Sequence, residues 1–175
     1  MSVLSRNDIK TRIFSQTPLI TEYQHLEDQL QPNGFDLTVQ KVEHIVSQGV
    51  IGPTNDQRVL SKKKTIAFNK TGFVVLPSGT YLLTLNEILH LPLNICALGH
   101  PRSSLLRCGV TINTALWDAG YQGRSQVLLV IYNKKGFSLA KNSGVLQLVF
   151  VYLFQPSLTG YQGTYQYENM PLTNN

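Results

Sequence analysis

The sequence predicts a mainly β single domain, a distorted jelly-roll-like barrel or sandwich with a short N-terminal helix and a flexible C-terminal arm. Two observations carry this. From about residue 35 to residue 154, short β-rich runs recur between Gly, Pro and Asn, a spacing that suits antiparallel strands rather than βαβ units. The chain has 175 residues, of which 42% are hydrophobic, enough to bury one proper core.

The helix comes first. Ser5 can accept from the free N–H groups of a first turn, Asp8 suits the positive helix end, and Ile9, Ile13 and Phe14 supply one apolar face. The strand candidates follow as FDLTV at 35–39, EHIVS at 43–47, TIAF at 65–68, GFVVL at 72–76 and TYLLTL at 80–85. After them come ICALG at 95–99, GVTI at 109–112, QVLLVIY at 126–132 and GVLQLVFVYLF at 144–154. ILHLPL at 88–93 is interrupted by Pro92 and reads equally as a helical turn or a strand entry. QVLLVIY and VLQLVFVYLF are apolar on both faces, which suggests that their outer face meets another subunit. Residues 157–175, SLTGYQGTYQYENMPLTNN, cannot form a core. They read either as a disordered terminus or as an arm that orders over a ligand, distinct from a body at 1–156.

A formal charge of +5 rests on a chain that is only 14% charged, against about 25% in an average domain. This composition does not suit nucleic-acid binding. SKKK at 61–64 reads as a solvated loop or strand edge. Cys96 and Cys108 are too few to staple the chain and are flanked by apolar residues, so both read as reduced core residues of a cytoplasmic protein. His100 between them makes a Cys-x3-His-x7-Cys pattern with three ligands but without the close pairs of structural zinc sites. The charged N-terminus lacks the apolar region of a signal peptide, and no stretch is long enough to span a membrane.

Four polar constellations interrupt the strands: QPNGFDL at 31–37, PRSSLLR at 101–107, NTALWDAGYQGR at 113–124 and NSGVLQL at 142–148. Each alone has an ordinary reading, as a turn, a cap or a polar break in a core strand. Hydroxyls and N–H groups of a turn also suit phosphate oxygens, and arginine adds charge-assisted bonds. In this order the four segments resemble the dUTPase and dCTP deaminase superfamily, most nearly its archaeal-type, deaminase-like dUTPases.

The resemblance implies a homotrimer that binds dUTP between subunits, with Mg²⁺ held mainly by substrate phosphates and water. It makes Asp118 the base that holds the attacking water and Ser103, Ser104, Arg107 and Gln147 phosphate ligands. Arg102 would orient a carboxylate or the loop. Asn113, Thr114, Ala115 and Leu116 would form the pyrimidine pocket by backbone hydrogen bonds, and Tyr121 would pack on the sugar face. Asp36 would support the metal region through water, with no direct metal ligand assigned. Tyr161, Tyr165 and Gln166 of the tail would close over the substrate.

Two departures choose a branch. Deaminases carry a glutamate ten positions beyond the motif aspartate, where this chain has Leu128, which cannot move protons. Common dUTPases have an acidic residue where this chain has Arg124. The resemblance spans most of the chain, with residues 44–72 contributing nothing to it. The implied activity is hydrolysis of dUTP to dUMP and pyrophosphate. Its rivals are dCTP deamination, and a non-catalytic nucleotide-binding or structural jelly-roll protein.

Overall fold

The computed structural model describes residues 2–170. It opens with strand β1 (Ser2–Val3) and helix α1 (Arg6–Ile13). The Ser5 side chain accepts from the Asp8 N–H while the Asp8 carboxylate accepts from the Ser5 N–H at 2.9 Å, so two free donors are satisfied reciprocally. Ile9 and Ile13 are buried as expected. Phe14 is not: it is the C-cap, already leaving the helix, and is 66% exposed.

There follow β2 (Ile20–Thr21), α2 (Leu26–Gln29), β3 (Leu30–Gln31), β4 (Gly34–Ile45), β5 (Lys63–Ile66), β6 (Phe73–Leu76), β7 (Gly79–Leu85), β8 (Ile88–His90) and β9 (Ile95–Pro101). The chain continues through α3 (Ser103–Arg107), β10 (Val110–Asn113), β11 (Gln122–Gly123), β12 (Gln126–Ile131), β13 (Phe137–Ala140) and β14 (Gly144–Tyr152). A nine-stranded antiparallel sheet runs β1-β14-β4-β7-β12-β10, with β3 and β5 also paired to β4, and β9 to β14. FDLTV and EHIVS form one strand. Phe35 to Thr38 pair with β14, and from Val39 onward the partner is β7. The register shift between Val39 and Lys41 is where β4 changes partner, and a bulge there bends the strand and helps curl the sheet. The ambiguous ILHLPL run enters as β8, held between β2 and β11.

The core lies within this curled sheet around Phe35, Leu37, Leu83, Leu129, Leu148 and Phe150. Along β12, Val127, Leu129 and Ile131 are buried while Leu128 and Val130 stay half-buried, and β14 does the same at Gln147 and Val149. One chain therefore covers only one of the two apolar faces of these strands, because the alternation of a strand presents the second face away from the core. The cysteines also depart from expectation. Both are free, but Cys96 is half-buried and Cys108, the C-cap of α3, is exposed. Among the described residues no cluster of three or more His, Cys, Asp or Glu could hold a metal, so His100 gathers no such set. Lys63 and Lys64 lie in β5, as a strand edge would have them. No helix among the described residues is long and apolar enough to cross a membrane.

Candidate active site

Asn113 closes β10 directly opposite Leu128 of β12. The chain then crosses to β9, where Trp117 is pinned by two backbone bonds: Ala97 N–H donates to the Trp117 carbonyl at 2.9 Å, and Trp117 N–H to the Ala97 carbonyl at 3.2 Å. The indole lies over Gly99 so closely that a Cβ there would stand 2.8 Å from the ring and 3.1 Å from the Thr114 methyl. With Trp117 as anchor, Ala115, Leu116 and Asp118 remain exposed. Asp118 stands at the rim of two clefts. One, of about 400 Å³, is lined by Cys96, Leu116, Ala119, Leu153 and Tyr161 among others. The other, of about 80 Å³, is lined by Ala115, Leu116, Trp117, Tyr121, Ser125, Gln126, Tyr161, Tyr165 and Glu168.

Tyr121 is buried, at 5% exposure, with its ring edge-on to Tyr161 at 5.8 Å between centroids. Burial raises its phenol well above the ordinary range. The tail is laid along residues 119–124 by main-chain bonds: Tyr161 N–H donates to the Ala119 carbonyl, Tyr167 N–H to that of Gln122, and Arg124 N–H to that of Glu168, all at 2.7–2.9 Å. Gln166 bonds both ways, its amide oxygen accepting from Gln122 N–H and its amide nitrogen donating to the Gly120 carbonyl. Gly120, at φ +85°, makes this close approach possible, since a Cβ there would lie 2.8 Å from Gly160 Cα. Of the tail residues singled out from sequence, Tyr161 and Tyr165 line the clefts at Asp118, and Gln166 fastens the tail beside them.

The remaining sequence-predicted residues form a second group. Gln147 of β14 faces Asp36 of β4 across the ladder, and its side chain lies close to Gly34. Arg102, where α3 begins, places its guanidinium 3.1 Å from the Asp36 carboxylate, which Gln31 also donates to at 3.1 Å. Arg102 thus orients a carboxylate. Burial raises the Asp36 pKa, against the opposing pull of Arg102 and Gln31. The RSS segment is one helical turn rather than an open loop: Ser103 and Ser104 open α3, exposed, and Arg107 donates to the Ser103 carbonyl at 3.0 Å. Neither Ser103, Ser104, Arg107 nor Gln147 lines a cleft at Asp118. Asp36 and Arg102 line a separate cleft of about 210 Å³ with Thr38, His25 and Asn142.

Sequence reasoning passed over Ser125 and Glu168. Ser125 receives the Trp117 indole N–H at 2.7 Å, and Glu168 receives the Tyr121 hydroxyl at 3.0 Å. A lone carboxylate in a polar tail and a lone serine before a strand have no spacing that would mark them. Arg124, at the position where common dUTPases have an acidic residue, is buried and donates to the carbonyls of Asn86 and Leu85.

Residues 3–153, most of the chain, match the dCTP deaminase-like family. The chain belongs to that family. It is 43% identical over 169 residues, 97% of this chain and 99% of the other, to a probable deoxyuridine 5'-triphosphate nucleotidohydrolase of Methanosarcina mazei. It is 41% identical over 170 residues, covering 97% of this chain and all of the other, to the protein of the same name from Methanococcoides burtonii. Among solved structures, the 2'-deoxycytidine 5'-triphosphate deaminase of Agrobacterium tumefaciens shares the fold with a TM-score of 0.64 at 19% identity over 85% of this chain. This dCTP deaminase-like chain spans about half of that longer one, covering 47% of it.

Proposed function

We propose that this chain is a dUTP diphosphatase that acts in the cytoplasm as a homotrimer, hydrolysing dUTP to dUMP and pyrophosphate. The observation that carries the reading is the exposed Asp118 carboxylate at the common rim of two clefts, in a chain 41% and 43% identical over nearly its whole length to proteins named for that activity. Asp118 takes a proton from a water whose oxygen bonds to the α-phosphorus. As that bond forms, the bond from the α-phosphorus to the bridging oxygen breaks, and its electron pair leaves with pyrophosphate. The peptide of Asn113 to Leu116, exposed except at the half-buried Thr114, meets the base edge, and Tyr121 closes the sugar face.

Ser103, Ser104, Arg107 and Gln147 bind the phosphates from the neighbouring subunit, and Tyr161, Tyr165 and Gln166 cover them. The donor set suits Mg²⁺ carried by phosphate oxygens and water, with Asp36 reaching it through water, because Asp36 is already engaged by Arg102 and Gln31 and Mg²⁺ keeps several waters. When bound, it neutralises charge on the triphosphate.

The alternative of dCTP deamination needs a proton carrier at position 128, and leucine there, half-buried opposite Asn113, offers none. Incubation with Mg²⁺ and each of dUTP, dCTP, dTTP and UTP, with products resolved by chromatography, tests the reading. The expected result is dUMP and pyrophosphate from dUTP, no uracil nucleotide from dCTP, and slow turnover of UTP. Conversion of dCTP to dUTP would install the deaminase reading, and inertness toward all four would favour a binding module.

A further inference from the structure

Tyr121 and three other groups form a hydrogen-bonded chain whose direction is fixed by chemistry. The Trp117 indole N–H donates to Ser125 Oγ at 2.7 Å, Ser125 Oγ and Tyr121 Oη lie 2.9 Å apart, and Tyr121 Oη–H donates to Glu168 Oε1 at 3.0 Å. Indole can only donate and an ionised carboxylate can only accept. The Ser125 hydroxyl must therefore point its hydrogen at Tyr121, so the bonds run one way, from Trp117 through Ser125 and Tyr121 to Glu168. Trp117, Tyr121 and Ser125 are all at least nine-tenths buried, so water cannot readily replace a missing member.

The far end of the chain is fixed by the main chain. Glu168 is bracketed by Tyr167 N–H donating to the Gln122 carbonyl at 2.7 Å and Arg124 N–H donating to the Glu168 carbonyl at 2.9 Å. Gly123 leaves the room for it: a Cβ at that position would lie 2.8 Å from Tyr121 Oη and 3.2 Å from Glu168 N. The near end is Trp117, the residue immediately before Asp118 and itself bonded to β9.

We propose that Ser125 and Glu168 are positioning residues that set the sugar specificity of this site by fixing the Tyr121 ring in a one-directional hydrogen-bonded chain between the Asp118 loop and the docked tail. The proposal rests on the reading of the site as a dUTP-hydrolysing one with Tyr121 on its sugar face. A ring fixed at both its neighbours rejects a ribose 2'-hydroxyl. A ring released from either can shift to admit it.

The test uses the full chain with Ser125→Ala, Glu168→Ala and Glu168→Gln. Two quantities are read: the ratio of kcat/KM for dUTP over UTP, and the fluorescence of Trp117, the single tryptophan of the chain. Loss of one such bond is worth about five- to tenfold, so Ser125→Ala and Glu168→Ala should lower the ratio by about that factor, mainly by raising the UTP value. Glu168→Gln keeps an oxygen that accepts from Tyr121 and should restore the ratio to within about twofold of wild type. Emission from Trp117 should shift in the two alanine variants and return in Glu168→Gln. The Glu168 pair keeps the test intact should Ser125→Ala unfold, because Glu168 is only half-buried whereas Ser125 is buried.

Unchanged ratios in a chain that hydrolyses dUTP would overturn the proposal and leave the functional reading standing. A chain inert toward dUTP would overturn that reading and, with it, the specificity role.

Discussion

Asp118 differs from the buried carboxylates of this chain in its surroundings. Asp36 is held by Arg102 and Gln31, Glu43 by Lys41 and Lys63, and Glu87 accepts from the Thr38 N–H, the Thr38 hydroxyl and the Gln29 amide. Each of those is committed to the fold, whereas Asp118 is exposed at a cleft rim. Asp118→Asn preserves shape and removes the proton acceptor. Turnover of dUTP should fall by about 10²- to 10⁴-fold with KM within a few fold, measured by steady-state pyrophosphate release; wild-type turnover would remove Asp118 from the chemistry. Asp118 stands out in the sequence as a candidate because its neighbours Trp117, Gly120 and Tyr121 form a recognisable local pattern. Glu87 does not, since its partners Gln29 and Thr38 lie 58 and 49 residues away, and no local window contains that information.

Among elements, the long strands announced themselves by composition, but β1, β2, β3 and β11 have two residues each and exist only because a partner strand supplies their hydrogen bonds. The tail reads from sequence as something without a core of its own; in the structure Leu158 is almost fully exposed and Tyr161 packs against the core of the body, while Gln166, Tyr167 and Glu168 are fastened by hydrogen bonds to residues 119–124. Its course could not be read, because backbone bonds to a distant hairpin leave no mark on side-chain pattern. Removing the chain after Pro156 takes away little buried apolar surface, so the body should still melt cooperatively. It also takes away Glu168 and the cover over the cleft, and misplacement on this scale costs roughly 10²-fold in turnover. A calorimetric transition with full activity retained would make residues 157–175 a passive terminus.

At the scale of the molecule, the residues that the family resemblance unites are divided in one chain. Asp118, Tyr121 and Tyr161 gather at one pair of clefts, while Asp36, Arg102 and Gln147 gather at another place on β4 and β14. Which residues fall into which group could not be read from the sequence, because motif order along a chain says nothing about how far apart the fold holds each motif. The half-buried Leu128, Val130 and Val149 offer apolar surface for a second copy, so sedimentation at micromolar concentration should report close to three times 19.6 kDa.

Assembly alone would not prove a shared site, but complementation would. Asp118→Asn and a Ser103→Ala/Ser104→Ala double variant should each be nearly inactive as pure oligomers. When the two are unfolded together at equal concentration and refolded, random cyclic assembly gives each interface a roughly one-in-four chance of pairing an intact Asp118 with intact serines from its neighbour, so activity should recover to roughly a quarter of wild type. Sites built within one chain would recover nothing, because every chain in the mixture carries one lesion. Recovery near a quarter would therefore place the two groups of residues on opposite sides of a subunit boundary, and its absence would return the whole site to a single chain.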